Sequence, residues 1–64
     1  MTDDEKTVLA AIMFLEEHGK ESFLGDIRNN CLRPLTDNEL TAALETLRAA
    51  RAISITPRGW VTTA

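Results

Sequence analysis

Beyond residue 21, every basic side chain of this 64-residue chain is an arginine: Arg28, Arg33, Arg48, Arg51 and Arg58. The planar guanidinium forks onto phosphates and base edges, and it serves protein interfaces equally well. Four acids (Asp26, Asp37, Glu39 and Glu45) stand against these five, a local balance of +1. Residues 1–21 run the other way, with two lysines against six acids and a balance of −4. The sum is −3, with a pI near 4.9. A simple polyanion-binding surface would usually be basic. Any anion-binding role must therefore rest on the arginine-bearing part of the chain alone.

Other chemistry is sparse. His18 and Cys31 are the only histidine and the only cysteine. Two ligands on different elements do not make a zinc site, which ordinarily needs four. His18 is placed to meet carbonyls at the end of a helix, and Cys31 to pack as a small apolar group. There is no glycine-rich phosphate loop, histidine-based dyad or paired metal-ligand motif, so neither catalysis nor a cofactor is expected. A lone thiol suits a reducing compartment. The N-terminus opens on Asp3-Asp4-Glu5 rather than on a basic then apolar leader, which points to the cytoplasm. The longest apolar run, Val8 to Leu15, has eight residues, against about 20 needed to span a bilayer.

The elements that position the arginines are announced by their caps. In Leu35-Thr36-Asp37-Asn38-Glu39-Leu40, Thr36 and Glu39 have capping-box spacing, and Leu35 and Leu40 form a hydrophobic staple. Leu40, Ala43, Leu44 and Leu47 then recur on one face, predicting a helix over 37–50. Thr2 and Glu5 repeat the box ahead of a helix over 3–18, whose core stripe is Val8, Ala11, Ile12 and Leu15 and whose C-cap glycine is Gly19. A short helix over 24–31 should turn Phe23, Ile27 and Cys31 inward. Gly25 falls in its first turn or at a close backbone approach. Pro34 enforces the link to the next helix. Ile53-Ser54-Ile55 and Trp60-Val61-Thr62 flank Thr56-Pro57-Arg58-Gly59, a type I turn pattern, giving a hairpin over 53–62. Either Val61 or Trp60 must answer Ile53 and Ile55, and Trp60 is expected to clamp the hairpin onto the first helix. The fold class is mainly α with a small antiparallel β-hairpin, in a single domain.

This order of helix, connector, helix, tight turn, helix and hairpin resembles the winged-helix form of the helix-turn-helix. Asp26-Ile27, the turn from Leu32 to Thr36, the Leu40, Leu44 and Leu47 spacing, and Arg51-Ala52-Ile53 carry the resemblance. It covers nearly the whole chain. The family usually has a glycine where this sequence has Ala50-Arg51-Ala52, and the wing here is short, with Arg58 at its tip. The resemblance implies that the third helix enters the major groove of double-stranded DNA. Base-edge contacts then fall to Asn38, Thr41, Ala42 and Glu45, and phosphate contacts to Arg33, Arg48, Arg51 and Arg58. Asn38 is the residue type that pairs bidentately with adenine, while Glu45 tolerates the groove only where it accepts from cytosine N4. Against this stands a solvated face on which Glu45 and Arg48 pair at i, i+3. The function implied is a small DNA-binding regulator. The rival is a protein-interaction module without DNA binding, favoured by the acidic pI. A homodimer through the helix over 3–18, using Met13 or Phe14, is a further expectation.

Overall fold

Both long helices begin on the same device. Glu5 donates its backbone N–H to Thr2 Oγ1 at 3.2 Å, and Thr2 returns its own to Glu5 Oε1 at 2.9 Å. Thr36 and Glu39 repeat the exchange at 3.1 and 2.9 Å. These boxes start helix α1 (Asp3–Glu17) and helix α3 (Asp37–Ala49). Helix α2 (Leu24–Asn30) has half a box, in which Asp26 accepts the Phe23 N–H at 3.1 Å. Phe23 has no side-chain oxygen to reciprocate. The hairpin strands are β1 (Ile53–Ile55) and β2 (Val61–Thr63). The computed structural model describes residues 1–64. Each helix stops one residue short of its expected end, because His18, Cys31 and Ala50 are the C-caps.

α1 and α3 also end alike. Lys20 N–H reaches the Leu15 carbonyl at 2.9 Å and Gly19 N–H the Glu16 carbonyl at 3.1 Å. At α3, Ala52 reaches Leu47 at 2.9 Å and Arg51 reaches Arg48 at 3.0 Å. Both are Schellman closures, which need a left-handed residue. Gly19 supplies it with φ 64° and Arg51 with φ 60°. Arg51 thus stands in a conformation that glycine adopts most readily.

The core gathers one stripe from each element: Val8, Ala11, Ile12 and Leu15 from α1, Ile27 from α2, Leu40, Ala43, Leu44 and Leu47 from α3, and Ile53 and Val61 from the strands. Burying a large aliphatic side chain contributes about 1.5–3 kcal/mol, so a chain this small depends on every member. Cys31 is half-buried against the core and donates its S–H to the Ile27 carbonyl at 3.2 Å. Burial raises its thiol pKa, which keeps it protonated and inert.

β1 and β2 pair antiparallel, Ile53 opposite Thr63 and Ile55 opposite Val61. Gly59 N–H closes the type I turn on the Thr56 carbonyl at 2.8 Å, and Thr56 N–H meets the Trp60 carbonyl at 2.9 Å. Gly59, at φ 89°, is the bulge residue of this three-residue loop. A lone two-stranded ribbon is marginal in water, so tethers matter. Val61 N–H binds the Ser22 carbonyl at 2.9 Å, and Thr63 N–H binds Glu16 Oε1 at 3.2 Å. Val61, not Trp60, answers Ile53 in the core. Trp60 therefore points the other way and meets Phe23 edge-on, with ring centroids 5.6 Å apart, instead of clamping onto α1. No helix is long and apolar enough to cross a membrane.

Candidate functional site

Helix α3 leaves one side uncovered. Asn38, Thr41, Ala42 and Glu45 are all exposed along it, with Arg48 and Arg51 exposed at its far end. The core-facing residues Leu40, Ala43, Leu44 and Leu47 take the opposite side, so the 3.6-residue period alone puts these polar and small side chains outward.

The five arginines divide into two groups. Arg28 binds Asp37 at 2.5 Å, and Arg33 is paired with Asp4. Both pairs are solvent-exposed, where such bonds contribute little to stability. Their geometric effect is clear nonetheless. Arg33 ties the α2–α3 turn to the first turn of α1, and Asp4 holds its guanidinium above the ordinary arginine pKa. Arg28 neutralises Asp37 at the start of α3. Neither guanidinium is free.

Arg48, Arg51 and Arg58 have no carboxylate partner. Glu45 does not pair with Arg48, contrary to the i, i+3 alternative. Arg48 and Arg51 share the wall of a shallow depression with Ile53, Ser54, Ile55 and Ala64, at the junction of α3 and β1. Arg58 stands exposed at the hairpin tip, beside Thr56, Pro57 and Trp60. From Thr46 to Ala64 the sequence holds these three arginines and no acidic side chain.

No family model, curated protein or solved structure matches the chain.

The chemistry of the exposed face is graded along α3. Asn38 and Ala42 border a depression shared with Thr2, Asp4, Glu5, Glu39 and Thr46, so the N-terminal half of the exposed face is edged by carboxylates. The backbone N–H of Thr2 holds the Glu5 carboxyl below its ordinary pKa, so it stays charged. The C-terminal half is edged by Arg48 and Arg51. Thr41 and Glu45 lie exposed between the two ends.

Three features lie outside what the sequence pattern predicts. Arg51 adopts φ 60°; the missing glycine at that step was the available signal. Leu32 is 97% exposed in the α2–α3 turn, and no local pattern marks it. The Phe23–Trp60 pair joins residues from a helix cap and a hairpin bulge, a meeting that only the tertiary fold creates. Elsewhere His18 meets its expected carbonyl, that of Phe14, through Nδ1 at 2.9 Å. No group of His, Cys, Asp and Glu is arranged to hold a metal ion.

Proposed function

We propose that this chain is a winged-helix DNA-binding protein that lays α3 along the major groove and uses the hairpin as its wing. The observation that carries this reading is the set Arg48, Arg51 and Arg58, unpaired and exposed in a segment without acids, while the other two arginines are neutralised. Guanidinium groups with no internal partner are free to bind phosphate.

In this mode Arg48 and Arg51 contact phosphates beside the groove, and Arg58 contacts the backbone where the wing lands. Asn38, Thr41, Ala42 and Glu45 face base edges: Asn38 is suited to adenine, Thr41 and Ala42 to a thymine methyl, and Glu45 to cytosine N4. Arg33 has a structural part as the partner of Asp4 and is left out of the phosphate set. The carboxylates beside Asn38 and Ala42 oppose the DNA backbone, so affinity from one copy is modest.

That same acidic depression favours a second reading, in which the N-terminal half of α3 docks a basic protein partner. Fluorescence anisotropy with a mixed-sequence duplex separates the two. Binding at low salt that weakens in Arg51→Ala and Arg58→Ala supports DNA recognition. No binding at about 50 mM salt, where phosphate contacts are strong, favours the protein partner.

A further inference from the structure

The outer side of α1 carries a second surface, remote in sequence from the arginines. Asp3, Lys6, Ala10, Met13 and Glu17 are all exposed, and their spacing of 3, 4, 3 and 4 aligns them along one seam of the helix. Phe14, 43% exposed, lies beside it, and Met13 is 47% exposed. Next to the seam is a groove of about 300 Å³ walled by Thr7, Ala10, Ala11, Phe14, Asn30 and Leu32. A cavity of about 150 Å³ already holds benzene, so an aliphatic or aromatic side chain fits. One wall of that groove, Leu32, is the most exposed large apolar residue of the chain.

We infer that α1 pairs with α1 of a second copy of this chain, antiparallel, about a two-fold axis. Three observations converge on that occupant. A protruding apolar residue and an apolar groove lie on one patch, which is what a self-complementary, isologous contact requires. The charges along the seam are ordered so that an antiparallel alignment brings Lys6 of one copy to Glu17 of the other, and Glu17 to Lys6. A parallel alignment would instead set like charges together. The middle of the seam, Ala10 and Met13, is uncharged; Ala10 lets two helices approach, and Met13 adapts to the gap.

The charge pairs set alignment more than affinity, since rim ion pairs are weak. A stable interface takes about 800 Å² from each partner, roughly a fifth of this chain's 4314 Å² surface. A single helix seam with Leu32 approaches that only with the flanking turn included. The dimer is accordingly weak and concentration-dependent. It stands independently of DNA binding.

Light scattering after size exclusion, run over a concentration series without DNA, reads it directly. The wild-type mass should climb from 7.1 kDa toward twice that value. Lys6→Glu and Glu17→Lys should each shift the midpoint at least several-fold to higher concentration, and the double reversal should restore it. Leu32→Asp, at a site with no packing to lose within one copy, should abolish the rise while leaving the circular dichroism spectrum unchanged, and the melting temperature unchanged at concentrations where the wild type is monomeric. A 7.1 kDa species at every concentration overturns the inference. So does a dimer that ignores the reversals and Leu32→Asp, because it must use another face.

Discussion

Arg51 and Gly19 close their helices in the same left-handed conformation, φ 60° and 64°, each followed by a 2.9 Å bond from the next residue's N–H back to the helix. Only one of the two is a glycine. For an L-residue this conformation costs about 1–2 kcal/mol, and nothing in the packing of Arg51, which is exposed, offsets it. Strain of this kind clusters at functional sites, and here it lies beside the exposed face of α3.

Arg51→Gly should therefore stabilise the fold by about 1 kcal/mol. In a domain of this size that raises Tm by about 4–8 °C. The same change removes a guanidinium from the arginine set, so DNA affinity should fall while stability rises. Urea denaturation and anisotropy on one protein sample measure both. A glycine variant that is less stable than wild type would contradict the assignment of strain.

Gly25 lies in the first turn of α2, and an added Cβ there would meet nothing within 4 Å. Its φ is not in the left-handed region. Gly25→Ala should raise stability by about 0.5–1 kcal/mol, from helix propensity and from a less flexible unfolded chain. Chemical denaturation tests this. A loss of stability would mean that the backbone there needs glycine for a reason the packing does not reveal.

Ser22 is fully buried, and its Oγ has no hydrogen-bond partner, although its carbonyl accepts Val61 N–H. A buried hydroxyl left unpaired costs about 1–3 kcal/mol. Ser22→Ala keeps the backbone bond and removes the orphan, so the unfolding midpoint should shift upward. A drop in stability would show that the hydroxyl is satisfied.

The cap of α1 gives a pH dependence of known sign. Thr2 lowers the Glu5 pKa from its ordinary 4.5 through the bond from its backbone N–H. A carboxyl depressed on folding contributes stability that is present above the unfolded pKa and lost as pH falls through the folded one. Stability of α1 should thus decline below pH 4.5, and Glu5→Gln should flatten that component. Amide exchange in the first turn, followed between neutral and acid pH, reads it at the cap itself.

The local signals in this sequence were strong and mostly sufficient for the fold. Thr2 with Glu5 and Thr36 with Glu39 form caps that depend on three-residue spacing alone, and both boxes exist. Pro57 and Gly59 define their turn in the same way. What escaped was partly non-local and partly a matter of local backbone geometry. Arg33 finds Asp4 across 29 residues, and no pattern along the chain brings a turn to the start of α1. Trp60 could not be oriented because the Gly59 bulge resets the in-and-out alternation of the strand. The candidate site was legible as an arginine inventory, but not as a division between paired and unpaired members. That division depends on which acids the fold carries to Arg28 and Arg33.

The salt dependence of duplex binding counts the arginines that meet phosphate. Three engaged arginines, each releasing counterions from the phosphate backbone, predict a slope of about −2.7 in log K against log salt. Neutralising Arg48, Arg51 and Arg58 one at a time should reduce that slope by about 0.9 each, while Arg33→Ala leaves it unchanged. A flat salt response, or a slope that Arg33 controls and the other three do not, would contradict DNA recognition by the end of α3 and the hairpin.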